Sequence, residues 1–167
     1  MVRGDESLAF DSFMSAEYPS VLAFARAVTG GWSEAEDVTQ EGFLAAYQQW
    51  TEVGGYERPG AFVRRVVANK SVSRFRRRTR EAAAIERLSP PSAIESDVAD
   101  PQFWAAVAAL PVRQRHVVAL YYLEDRSVAE VADILGRAEG TVKAHLAAAR
   151  RNLAIRLDVG DDEKEEA

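Results

Sequence analysis

Apolar residues recur at intervals of three and four along most of this chain, and nowhere do they alternate with polar ones for more than a few residues. That spacing buries one face of a helix, so the expected fold is all-α. Phe10, Phe13, Met14, Tyr18, Val21, Leu22, Ala25 and Val28 predict a first helix ending before Gly30-Gly31. Pro19 inside it removes one backbone donor, which predicts a local bend rather than a break. Ser33-Glu34-Ala35-Glu36 reads as a capping box opening a second helix to about Trp50, with Ala35, Val38, Gly42, Phe43, Ala46 and Trp50 on its buried arc. Thr51 to Gly60 reads as a loop before a third helix whose apolar side is Phe62, Val63, Val66, Val67 and Phe75.

Residues 82–99, with Ser89-Pro90-Pro91-Ser92 and no sustained period, predict a flexible linker. Asp100-Pro101 then supplies an N-cap and a first helical residue, and Pro111 opens the following helix. Ser127-Val128-Ala129-Glu130 is a second capping box, its helix stops at Gly136, and a last helix spans Thr141 to Leu157. The expected architecture is two small helical domains, 5–81 and 100–157, joined by the 82–99 linker and followed by an acidic tail, 158–167. With few large apolar anchors in the linker, the domains are expected to move independently.

Charge is distributed against the formal net value of −5. From Met1 to Glu41 there are two basic and eight acidic residues, from Arg58 to Arg87 ten basic and two acidic. From Arg137 to Arg156 five basic residues face Glu139 alone, and after Asp158 the acids return. Two basic segments, one in each half, suit an anionic polymer better than the net charge suggests. The absence of cysteine and the presence of only His116 and His145 leave no basis for a disulfide framework, a thiolate nucleophile or a histidine metal cluster, so no cofactor is expected. No glycine-rich phosphate loop or nucleophile–base pair suggests an enzyme. No stretch approaches the ~18 apolar residues of a membrane span, and the first residues lack a signal-peptide run, so a cytoplasmic location without membrane insertion is expected.

The segment Ser127 to Lys143 has the pattern of a helix-turn-helix: a capped short helix, a glycine at its end, a tight turn and a second amphipathic helix able to enter a major groove. Candidate groove and phosphate contacts are Arg137, Glu139, Thr141, Lys143, Ala144, His145 and Arg150. An ordinary helical hairpin is the plain alternative.

Five motifs in order resemble those of extracytoplasmic-function (ECF, group IV) RNA polymerase sigma factors. They are Ala35-Glu36-Asp37-Val38-Thr39-Gln40-Glu41-Gly42-Phe43, Arg58-Pro59-Gly60-Ala61-Phe62-Val63, Val67-Ala68-Asn69-Lys70, Leu110-Pro111-Val112-Arg113-Gln114-Arg115 and Glu139-Gly140-Thr141-Val142-Lys143. The resemblance, from Phe10 to Leu157, implies a region 2 helical bundle of the three-helix type and a region 4 helix-turn-helix. It implies binding of the core polymerase clamp helices by Asp37, Gln40, Glu41 and Leu44, although a solvated helix face would carry the same acids. It also implies melting of the minus-ten element and capture of an extruded base by Tyr56, Phe62, Arg64, Arg65, Asn69, Lys70, Ser73, Arg74 and Arg77. Such a site needs a cationic track for single-stranded phosphates and an aromatic surface for unpaired bases. For Phe62 core packing is the competing role.

The second domain is implied to read the minus-thirty-five duplex and touch the polymerase flap, and an anti-sigma partner is a further possibility of this family. Here the chain departs from the pattern: Ala144-His145 and Ala148 stand where relatives commonly carry Ser-Arg and a further Arg, so phosphate contacts are expected to matter more. Ser73 also replaces a common acid. A conventional helix-turn-helix regulator with a sensing first domain is the alternative from another class; eight basic residues between Arg64 and Arg80 speak against it.

Overall fold

The computed structural model describes residues 2–85 and 100–165, with side chains for 6–83 and 100–157. Among them the chain is helical with no strand. Helix α1 (Val2–Thr29) passes through Pro19 without interruption and ends at Gly30, whose φ of 80° closes the turn. Helix α2 (Trp32–Gln48) starts one residue earlier than the Ser33 capping box predicts. Extended Gly31 is the N-cap, no side chain caps it, and the Arg26 guanidinium lies 3.4 Å from the centre of the Trp32 ring. That stacking holds the first helical residue where the serine box would have left it outside.

A single helical turn, α3 (Trp50–Val53), occupies part of the expected loop, and α4 (Pro59–Ile85) follows. Helices α1, α2 and α4 form the first unit. Its core joins Phe10, Val21, Phe24 and Val28 of α1, Val38, Phe43 and Ala46 of α2, and Val63 and Val67 of α4. Helices α2 and α4 cross at Gly42, where a Cβ would sit 3.1 Å from Val63 Cγ1 and from Val67 Cγ2. Phe75, expected on the apolar side, is 39% exposed and carries the Arg115 guanidinium 5.6 Å from its ring centre.

In the second unit α5 (Pro101–Ala108) is capped by Asp100, which accepts from the Phe103 amide at 3.1 Å. Helix α6 (Val112–Val118) widens into a π-turn, Ala119–Leu123. The Ser127 box forms as expected at the head of α7 (Val128–Leu135): Glu130 N donates to Ser127 Oγ at 3.2 Å and Ser127 N to Glu130 Oε2 at 2.9 Å. Gly136, at φ 61° and ψ 43°, turns the chain in the left-handed region before α8 (Glu139–Glu165). Val107, Leu110, Val117, Leu120, Val131, Ile134, Val142, Leu146 and Leu153 fill this core. Residues 86–99 of the expected linker lie outside the described residues, as do the side chains of the acidic tail.

The two units are packed together rather than apart. Helix α4 meets α6 and α7, while α1 meets α5, α6 and the π-turn, and the buried residues of both units form one continuous cluster. The expectation of independent domains looked for anchors in the linker, whereas the seam is made by side chains on the helices themselves, apolar and polar together.

Candidate nucleic-acid interface

Helix α8 enters from Gly136 with Val142, Leu146, Ala149 and Leu153 turned into the core, which leaves Thr141, Lys143, Ala144 and Ala147 exposed and His145 half-buried. Arg137 and Glu139 flank this face on the solvent side. The exposed stripe is therefore short in reach, with Lys143 its one long side chain between Thr141 and Ala147. Arg150 is tied back: its Nε donates to Tyr122 Oη at 2.9 Å, and its guanidinium lies 5.8 Å from the Tyr121 ring centre. The hydrogen bond to Tyr122 raises the arginine's pKa further.

The acidic face of α2 is exposed as the sequence implies, with Leu44 55% accessible beside Tyr47. Its acids meet the basic face of α4. Asp37 Oδ2 lies 3.3 Å from Arg74 Nη1, Glu41 Oε1 2.5 Å from Arg74 Nη2, and Glu41 Oε2 3.1 Å from Lys70 Nζ. Partial burial would raise the Glu41 pKa, but hydrogen bonds from Lys70 and Arg74 outweigh it and hold the carboxyl below its ordinary range. Gln40 points to solvent. Polymerase-facing and DNA-facing candidates thus share one charge network. Asn69, Ser73 and Arg77 continue the exposed α4 face, Arg77 pairing with Glu81 at 2.9 Å and Ser73 Oγ donating to Asn69 O at 3.2 Å.

Tyr56 and Phe62 stand with ring centres 6.5 Å apart at the mouth of a cavity of about 610 Å³ lined also by Glu57, Arg58, Ala61, Arg65 and Asp133. Tyr56 is 43% exposed and donates to Glu52 Oε1 at 2.7 Å. Phe62 is half-buried, packed against the core and also lining the cavity.

Arg64 is the candidate that the structure moves. It is 2% exposed, so in this conformation it cannot touch DNA. Its Nε donates to Glu124 Oε1 and Oε2 at 2.9 and 2.7 Å, its Nη1 to Glu17 Oε2 at 2.7 Å and Gly60 O at 3.1 Å, and its Nη2 to Ser20 Oγ at 2.8 Å. The signal was present in the sequence: Arg64 lies four residues after Gly60, three before Val67 and seven before Ser71, on the buried stripe of α4. Arg65 is turned across the seam as well, its Nε donating to Ile134 O at 3.0 Å and its Nη2 to Asp133 O. These carbonyls belong to the last turn of α7, where a cation is favoured. Sequence reasoning missed Glu17, Ser71, His116 and Glu124, because a helical period marks a face without marking its partner on another helix.

A smaller cavity of about 30 Å³ gathers residues read from the sequence as belonging to two different promoter elements. Arg65 and Asn69 of the first unit and Arg137 and His145 of the second line it together, with Arg113 and His116. Among the described residues no group of His, Asp or Glu is placed to hold a metal ion, and no helix is long and apolar enough to cross a membrane.

Residues 13–81 match the model of Sigma-70 region 2, and residues 101–153 that of Sigma-70, region 4. The chain is 30% identical over 158 residues to the ECF RNA polymerase sigma factor SigM of Mycobacterium tuberculosis, covering 92% of this chain and 79% of that one. It is 31% identical over 169 residues to the RNA polymerase sigma-E factor of Streptomyces coelicolor, covering 96% of each. Among solved structures it resembles the sigma factor RpoE of Bartonella quintana, in complex with the anti-sigma factor NepR, at 25% identity and a TM-score of 0.72 over 90% of this chain and 97% of that one. One unit, about half of the chain, could not reach that score alone, so the arrangement of the two units is shared as well. CnrH, in complex with the cytosolic domain of CnrY, has the same fold at 22% identity and a TM-score of 0.63. The chain therefore belongs to the ECF sigma factors, the transcription initiation subunits that bind core RNA polymerase and direct it to promoter DNA.

Proposed function

We propose that this sigma factor docks on the polymerase clamp helices through Asp37, Gln40, Glu41 and Leu44 of α2 and opens the minus-ten element with α4 and the loop before it. The observation that carries the reading is that the Tyr56–Phe62 cavity is lined by Arg65 of α4, and that Asn69, Lys70, Ser73, half-buried Arg74 and Arg77 follow further along the same helix. An aromatic mouth accepts an unstacked base while the cations follow the strand's phosphates. Asp37 and Glu41, already paired with Arg74 and Lys70, couple the two surfaces: a polymerase contact that draws on these acids releases cations toward DNA.

The unit 100–157 reads the minus-thirty-five duplex through Thr141, Lys143, Ala144 and His145, with Arg137 and Arg150 for phosphates and Glu139 at the start of the recognition helix, and it meets the flap. With small side chains on that face, duplex affinity rests on phosphate contacts and tethering by the polymerase, and falls steeply with salt. An anti-sigma partner belongs to this reading, because the Bartonella relative that shares the arrangement is bound to one.

Run-off transcription with sigma-free core polymerase on pooled promoter fragments tests it. Promoter-specific transcripts that vanish for the Asp37→Arg, Glu41→Arg double variant are expected. Tight dimeric binding to duplex DNA by the chain alone, without transcripts, would instead make it a conventional regulator.

A further inference from the structure

Guanidinium groups in this chain usually have an acid beside them: Arg58, Arg64, Arg74, Arg77, Arg78 and Arg126 each lie within 3.3 Å of a carboxylate oxygen. Arg76, Arg113 and Arg137 have no such partner among the described residues. They come from three places in the fold, α4, the first turn of α6 and the turn that leads into α8. Yet they stand close enough to act on one another. Arg113 loses proton affinity through burial and then through the charges of Arg137 and Arg76. Arg115, 3% exposed and with its Nε unbonded, adds a further cation, and Glu34, which acts on it in the opposite sense, is already paired with Arg78 at 2.9 Å. His116 beside them is neutral and brings no negative charge. Like charges gathered in this way repel until an anion joins them.

Two of the cations are held in place by their backbone. Arg137 N donates to Ala132 O at 2.9 Å in the turn that Gly136 closes in the left-handed region. Arg113 follows Pro111, whose carbonyl accepts from the Gln114 and Arg115 amides at 2.9 and 3.0 Å. Arg113, Arg137 and Asn69 line the cavity of about 30 Å³ together with Val72, Val117 and Leu135, while Arg65 at the same cavity is occupied by the α7 carbonyls. Asn69, Val72 and Arg76 share one face of α4, so Arg76 continues this lining by one turn. On the same measure a single water needs about 10–15 Å³, which makes the recess large enough for one phosphoryl group and far too small for a duplex. Its apolar lining weakens the screening of charges inside it.

We propose that this recess is a binding site for a diphosphate group, with one phosphoryl between Arg113 and Arg137 and the second at the mouth against Arg76. Guanidinium forks match phosphate oxygens two at a time, and the Asn69 amide supplies a neutral donor. Charge sets the number of phosphoryl groups. One phosphoryl carries about −1.5 to −2 and leaves three unpaired arginines in excess, whereas two adjacent ones neutralise them. The shared chemistry is the diphosphate itself, carried by inorganic pyrophosphate or by a nucleoside diphosphate. The site needs neither polymerase nor promoter DNA.

The full chain is titrated with inorganic pyrophosphate at constant ionic strength, by calorimetry and by thermal unfolding. Saturable binding at one site with a Kd at or below about 1 mM is expected, with a melting temperature that rises with ligand concentration. Arg113→Gln should weaken binding at least about tenfold, the loss of one charge-assisted contact. A lower melting temperature with unchanged pyrophosphate affinity would mark a structural arginine and overturn the site. If Arg113→Gln does not fold, Arg137→Gln, at an exposed side chain, replaces it under the same expectation. Arg151→Gln, an equal charge change at an exposed position of α8, should leave the affinity unchanged; an equal loss there reduces the effect to net charge and overturns the site. ADP distinguishes the sources: tighter binding of ADP points to a nucleotide, tighter binding of pyrophosphate to the free anion, and both uphold the site. No saturable pyrophosphate binding, or the same Arg113-dependent affinity for sulfate or for a short DNA duplex, refutes it. Transcription plays no part in this measurement, so failure here leaves the promoter reading standing, and a failed run-off assay leaves this site standing.

Discussion

Lowering the pH from 7.5 to 5.5 should cost this protein about 1.4 kcal/mol of stability through one residue, and a His116→Gln variant should not lose that share. His116 is 3% exposed, packed near Phe24 of α1 and bonded to Ser71 of α4 at 2.8 Å. Ser71 has one hydroxyl hydrogen and gives it to Ala68 O at 2.8 Å. The imidazole must then donate from Nε2, which fixes the neutral tautomer. Burial, then the charges of Arg115, Arg113 and His145, lower its pKa to about 3. The folded value lies below the unfolded one near 6.5, so the stabilisation is complete above pH 6.5 and is lost as pH falls toward 3. At pH 5.5 the unfolded imidazole is protonated about tenfold over its neutral form and the folded one is not, which converts to about 1.4 kcal/mol. Urea unfolding at both pH values, for wild type and variant, isolates this share, since all carboxylates titrate in both proteins. With a slope of about 1–3 kcal/mol/M, the wild-type midpoint should fall by roughly 0.5–1.4 M more than the variant's. Parallel shifts in the two proteins would refute the assignment of a buried neutral histidine at the seam.

Gly42→Ala should destabilise by about 1–3 kcal/mol, because the new methyl meets Val63 and Val67 at the tightest crossing of α2 and α4; thermal unfolding measures it. Ser127→Ala removes one half of the capping box on α7 and should cost about 1 kcal/mol, read by chemical denaturation. In the holoenzyme, Lys70→Gln should weaken binding evenly across promoter sequences and reduce the salt slope of log affinity by about one; fluorescence anisotropy at several salt concentrations checks both.

The helix-turn-helix was legible because its signals are local: Ser127, Glu130 and Gly136 act within a few residues of themselves, and Asp100 caps α5 for the same reason. The buried arc of α2 was legible from period alone. Ser33 misled because the start of α2 is set by an extended glycine and by Arg26, which reaches Trp32 from the preceding helix. Phe75 was assigned to the core by type, yet it lies where α4 runs past its own bundle. The α4 arginines were read as one basic surface. In the fold they divide three ways, into a buried bridge at Arg64, a helix cap at Arg65 and a solvent-facing pair with α2 acids at Arg74. Arg64's place on the buried stripe is written in the α4 spacing, but the partners of all three depend on which helices come to lie opposite, and no spacing within α4 encodes those.

The π-turn at Ala119–Leu123 has a consequence for how this chain tolerates change in length. A π-turn accommodates one residue more than a regular helical path, and each residue of an α-helix advances the direction of its side chains by about 100°. Deleting Tyr122 would let the segment relax to α-helix and swing everything beyond it by that angle. Glu124 would leave Arg64, and α7 would present a different edge to Arg65. Sequences that differ here by one residue would carry the same recognition helix aimed along another bearing, so alignment gaps at this turn are geometric variables rather than neutral loop length.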